Sequence, residues 1–82
     1  MIRVLFFASL REQLGRDAID WEAGQLADVS ALRSALAGQD ETWRKALSQP
    51  QLQVAVNQQL ANLQCPVRDG DEVAFFPPVT GG

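Results

Sequence analysis

Only one stretch of this chain, Val29 to Ala37, has the spacing of a long core-facing helix, and segments of strand-like alternation lie on both sides of it. Val29, Leu32 and Leu36 fall at i, i+3 and i+7, a single apolar stripe. One stripe covers one face of one sheet, and eighty-two residues leave nothing for a second layer. Asp28 stands where an N-cap is needed, and Gly38 follows the last periodic residue.

The flanking segments define the sheet. From Ile2 to Ala8, Ile2, Val4 and Phe6 point one way while Arg3, Leu5 and Phe7 point the other. Ser9 is placed to cap a short helix, with Glu12 completing a capping box and Gly15 ending it in a left-handed conformation. Asp17 to Glu22 alternates again, with Ile19 and Trp21 on one face. Asp40 caps a second short helix, on which Trp43 and Leu47 lie one turn apart, and Pro50 closes it. Gln51 to Asn57 reads as a third strand with Leu52, Val54 and Val56 inward, and Leu60 to Leu63 as a small extra strand. Arg68-Asp69-Gly70-Asp71 is a turn, and Glu72 to Phe76 is the last strand. The strand-helix-strand crossover supplies the parallel pairing in an otherwise mixed sheet. The expected class is α+β: a mixed sheet with one main helix packed on one face, the order of a β-grasp or ubiquitin-like fold. Residues 1–76 form this domain, and residues 77–82 a flexible tail.

Composition narrows the function. The chain is 46% apolar and 21% charged, with a net charge of -3. That balance opposes a nucleic-acid surface, which needs clustered Lys and Arg. Having no histidine excludes a Ser-His-Asp or Cys-His nucleophile system, and scattered carboxylates make a poor zinc site, so no metal is expected. One cysteine cannot form an internal disulfide. The apolar run Val4 to Leu10 lacks a basic leader and is broken by Arg11 and Glu12, and nothing reaches transmembrane length. A cytoplasmic protein is expected, without a membrane partner.

Charge separates the two faces of the sheet. Arg3 shares its side with Leu5 and Phe7, and Glu72 shares its side with Ala74 and Phe76. Charges avoid a one-helix core, so these sets face away from the helix, leaving Ile2, Val4, Phe6, Val73 and Phe75 inside. Leu5, Phe7 and Phe76 then form an exposed apolar patch of the kind that anchors a partner.

Pro77 and Pro78 cannot continue a ladder, and the last residues are Gly81 and Gly82. From Pro77 the extended reach is on the order of 20 Å. Two glycines permit a narrow channel and close backbone approach. The only chemistry at the tip is an α-carboxylate, a poor acyl donor until ATP converts it to an acyl-adenylate. No Gly-rich phosphate loop is present, so activation falls to another protein. Ordering the tail costs about 1–2 kcal/mol per residue, which requires the body of the domain to dock.

The block DGDEVAFFPPVTGG, Asp69 to Gly82, resembles the small subunits of molybdopterin synthase, a family of ubiquitin-like sulfur carriers. IRVLFFASLRE, from Ile2, and VAVNQ, from Val54, resemble the same family's first strand and helix and its third strand. The resemblance implies a β-grasp carrier that is part of a sulfurtransferase complex but has no catalytic centre of its own. It implies that an activating enzyme related to ubiquitin activators uses ATP to adenylate Gly82, which becomes a thiocarboxylate, with no stably bound cofactor. The tail Pro77, Pro78, Val79, Thr80, Gly81, Gly82 then enters a large subunit and donates sulfur to cyclic pyranopterin monophosphate, forming the molybdopterin dithiolene. The implied assembly is a heterotetramer of two small and two large subunits, with Phe7, Leu60 and Phe76 at the interface.

Sulfur carriers for thiamine or tRNA thiolation share the terminal pair, and the FFPPV run favours the molybdopterin family over them. A ubiquitin-like modifier that forms isopeptide bonds is the alternative of a different class, and a plain interaction module is a third. Cys65 reads as a small packing residue beside Pro66, and Trp21 and Trp43 as packing residues in apolar stripes. Asp69 and Asp71 read as solvated turn carboxylates, and Arg3 with Glu72 as a cross-strand pair.

Overall fold

The computed structural model describes residues 1–78, and Val79, Thr80, Gly81 and Gly82 lie outside them. Along the chain the elements are β1 (Ile2–Phe6), α1 (Ala8–Leu14), β2 (Ala18–Trp21), α2 (Val29–Ala37), α3 (Glu41–Leu47), β3 (Gln53–Val56), β4 (Gln59–Ala61) and β5 (Glu72–Phe76). The strands form one sheet in the order β2-β1-β5-β3-β4. β1 and β5 run parallel, and the other pairings are antiparallel. This is the β-grasp arrangement, with the last strand at the centre of the sheet.

The helix-side face holds the core. Ile2, Val4, Phe6, Val73 and Phe75 are all buried, as charge parity requires, and Val29, Leu32 and Leu36 of α2 meet them. The ring of Trp43 on α3 packs edge-on against Phe6, centroids 5.4 Å apart, so this Trp is a core residue. Trp21 is partly buried against the same cluster.

Backbone accounting explains why α2 starts where it does. The first N–H groups of a helix have no partner within it. Val29 N–H donates to Cys65 O at 3.0 Å and Ser30 N–H to Leu63 O at 2.9 Å. Ala31 N–H donates to the Asp28 side chain at 2.9 Å, and Leu32 N–H to Asp28 O at 3.1 Å. The strand expected over Leu60 to Leu63 therefore ends at Ala61, because Leu63 and Cys65 turn to satisfy the helix. Cys65 serves through its carbonyl, and its side chain is partly buried.

The far end of the helical layer is clamped by Arg33. Its Nε donates to Leu47 O and its Nη2 to Gln49 O at 2.6 Å, tying α2 to the end of α3. Burial lowers the pKa of this guanidinium from its usual value.

Two local expectations fail. Ser9 and Glu12 do not form a capping box, since α1 begins at Ala8 behind an extended Phe7 and no side chain caps it. Ser9 thus lies inside the first turn, and Ala8 adopts φ 56, a left-handed value that costs an alanine about 1–2 kcal/mol. Arg3 has Glu72 as its register partner, but its guanidinium lies 3.8 Å from Asp20 on the other neighbouring strand. Asn57 and Gln58 both take positive φ, 50 and 69, forming the two-residue primed turn that joins β3 to β4.

Candidate functional site

The face of the sheet opposite the helices is organised in rows. Ala18, Leu5, Ala74, Ala55 and Leu60 are register partners in succession across all five strands. Partners in a ladder point to the same face, so these side chains form one continuous apolar band. Next to it, toward the start of β1 and β5, lies a polar row of Asp20, Arg3 and Glu72. On the other side, at the ends of the parallel strands, stand Phe7 and Phe76.

The three residues proposed for a partner surface sit at the rim of this band. Leu60 is 76% exposed and Phe7 46% exposed, while Phe76 is half-buried. Phe7 is held by its backbone, whose N–H donates to Phe75 O at 3.3 Å beside the end of β5. Between the rims, Ala74 is nearly buried at 8% because β1 and β3 flank it in the central strand. The band thus has small alanines around the central strand, Leu5 on β1 and Leu60 on the edge strand.

Asn57 fixes the relation between this edge and the central strand. Its backbone N–H donates to Glu72 O at 2.8 Å, and its side-chain oxygen accepts from Glu72 N–H at 3.0 Å. Its side-chain amide also donates to Asp71 at 3.2 Å. The β3–β4 turn that presents Leu60 is thereby pinned to the start of β5. Nothing in the sequence flagged this role, although an Asn between two alternating segments is a turn signal.

The apolar band contains no ionisable side chain, so it offers contact area and no acid, base or nucleophile. Among the described residues no three His, Cys, Asp or Glu side chains gather in a way that could hold a metal ion. Asp69 and Asp71 are engaged in the turn instead: Asp71 accepts from Arg68 N–H at 2.8 Å, and Asp69 pairs with the N-terminal ammonium. No helix among the described residues is long and apolar enough to cross a membrane. Pro77 and Pro78 leave the central strand at the Phe7 and Phe76 end of the band, both partly buried. The four tail residues after them lie outside the described residues.

The ThiS family pattern matches residues 4–82. The protein named molybdopterin synthase sulfur carrier subunit in Escherichia coli (strain K12) is 52% identical over 82 residues, all of both chains. Among solved structures, SAMP1 from Haloferax volcanii superposes with a TM-score of 0.78 at 28% identity, covering 99% of this chain and 98% of that one. A chain of the protein-protein complex of subunits 1 and 2 of molybdopterin-converting factor from Helicobacter pylori 26695 is similar too. It has a TM-score of 0.68 and 29% identity, over 99% of this chain and 97% of that one.

Proposed function

Because the chain belongs to the ThiS family, we propose that it is the sulfur-carrier subunit of molybdopterin synthase, a sulfurtransferase complex. The observation that carries this reading is the 52% identity, over the whole length of both chains, to a protein of that name. The apolar band supports it physically. A carrier needs a docking surface next to the point where its reactive tail departs, and Phe7 and Phe76 stand at that point. The partner is the large subunit of the synthase, in keeping with the two-subunit complex of the Helicobacter pylori relative.

The chemistry belongs to Gly82. Its carboxylate attacks ATP on an activating enzyme, releasing pyrophosphate and leaving an acyl-adenylate. A sulfur nucleophile then displaces AMP, and the product is a thiocarboxylate. With Pro77 to Gly82 inserted in the large subunit, that sulfur passes to cyclic pyranopterin monophosphate, and two such transfers complete the dithiolene. A carrier without a tuned side chain on its docking face suits this division of labour.

The test is intact-mass analysis after incubation with ATP, the activating enzyme and a sulfur donor. The expected product has one oxygen replaced by sulfur at the C-terminus. It forms with the full chain and not after deletion of Gly82. Accumulation of higher-mass lysine conjugates in place of that product would mean a protein modifier, a class to which SAMP1 points.

A further inference from the structure

β2 is an edge strand, and among the described residues no other strand pairs with its free side. Phe6 N–H donates to Asp17 O at 2.9 Å, so in the β1–β2 register residues 17, 19 and 21 bond to β1. Ala18 and Asp20 must then direct their N–H and C=O groups outward, and none of these four groups has a partner among the described residues. Alongside runs an open groove of about 400 Å³, lined by Ile19, Trp21 and Trp43 together with the polar Arg16, Asp20, Gln39 and Asp40. It lies on the helix side of the sheet, at the edge opposite β4 and Leu60.

Carboxylates dominate the surroundings. Asp17, Asp20, Glu22, Asp40 and Glu41 outnumber Arg3, Arg16 and Arg44; Arg44 is paired with Glu41 at 2.6 Å and Arg3 lies 3.8 Å from Asp20, which leaves Asp17, Glu22 and Asp40 against Arg16. A charged edge deters pairing with a second copy, since Asp17, Asp20 and Glu22 would oppose their own kind across the new ladder. Deterrence alone needs no groove, yet the partly buried Ile19 and Trp21 give this otherwise polar groove an apolar wall. Side chains alternate along any added strand, one set falling over the groove and the other beside Asp20 and Glu22 on the outer face.

We propose that the β2 edge accepts an extended segment of a partner protein in which basic and apolar side chains alternate, by strand addition to Ala18 and Asp20. The apolar set fills the groove against Ile19 and Trp21, and the basic set meets the outer carboxylates. This site does not depend on sulfur carriage, and it meets the apolar band only at Ala18.

The probe is the capped hexapeptide Lys-Val-Lys-Val-Lys-Val, titrated into the isotope-labelled full chain and followed by amide resonances. Saturable shifts are expected at Ala18 to Trp21 and at the indole of Trp21. The same peptide with Glu for Lys binds at least about threefold more weakly, attraction to the two outer carboxylates Asp20 and Glu22 being replaced by repulsion. Asp20→Pro removes an outward N–H without touching the β1 ladder and abolishes binding. Two N-methylated peptides, one modified at every valine and the other at every lysine, make the same test on the unaltered protein, and at least one must lose binding. The proposal is overturned by no saturation at millimolar peptide, by equal binding of the Glu peptide, by retention of both methylated peptides, by shifts centred on Leu60 and Phe76, or by dimerisation through β2.

Discussion

Replacing Leu60 by Ala should weaken docking to the large subunit more than replacing Phe7 by Ala, although aromatic rings are the commoner anchors. Full burial of a Leu or Phe side chain contributes about 1.5–3 kcal/mol. Only the part still exposed in the free carrier is left to bury on docking, 76% for Leu60 and 46% for Phe7. Scaling gives about 1.1–2.3 kcal/mol for Leu60 and about 0.7–1.4 kcal/mol for Phe7. These correspond to losses of about 6- to 50-fold and about 3- to 10-fold in affinity. The fold should respond in the opposite order. Leu60 has little contact to lose, so its removal shifts stability by no more than about 0.5 kcal/mol. Phe7 already buries half its surface within the domain, and its truncation should cost about 1 kcal/mol of folding free energy. Calorimetric titration of the large subunit with each variant, beside thermal melts of the carriers alone, measures both orders. If folded Leu60→Ala binds within twofold of the unaltered carrier, the band is not the docking surface. If Phe7→Ala loses more affinity than Leu60→Ala, exposed area is not what sets the contribution.

Three further substitutions probe the scaffold by chemical or thermal unfolding. Arg33→Met leaves Leu47 O and Gln49 O without their charged donor and should destabilise by about 2 kcal/mol, with Arg33→Lys recovering only part; an unchanged midpoint would remove the clamp. Asp28→Ala removes the side-chain acceptor for Ala31 N–H and should cost about 1 kcal/mol, measured against the neutral control Ser34→Ala on the exposed side of α2. Gln58→Gly relieves a left-handed glutamine and should raise stability by about 0.5 kcal/mol after glycine's entropy is deducted, whereas a loss would mean that the exposed Gln58 side chain contributes a contact.

Much of this architecture could be read from residues because the strong signals were local and periodic. Asp28 with Val29, Leu32 and Leu36 gave α2 its bounds, and Asp40 gave α3 its start, since caps and stripes are short-range properties. Face assignment worked at β1 and β5 because Arg3 and Glu72 marked the outer side. Ser9 misled because a hydroxyl three residues before Glu12 matches the capping pattern, while the turn after β1 is set by Phe7 bonding back to β5. Leu63 misled because its apolar side chain suggests a strand, while its carbonyl is drawn to the start of α2. The band itself, Ala18 to Leu60, was out of reach: it exists only once four strand registers are fixed, and register depends on long-range pairing.

The apolar band follows from how little chain there is. A five-stranded sheet has two faces, and the helices α1, α2 and α3 pack with a core drawn from one of them. The central strand β5 is still covered from outside, because Ala74 is small enough to be sheltered by its neighbours on β1 and β3. Edge strands have no such shelter, and a leucine at Leu60 gains almost nothing for folding while adding apolar surface to water. The opposite edge solves the same problem with Asp20 and a flanking Glu22. A chain able to place carboxylates on one edge has no folding reason to place a leucine on the other. On the two proposals made above, the edges differ in what each would meet, an apolar partner surface at β4 and a basic one at β2.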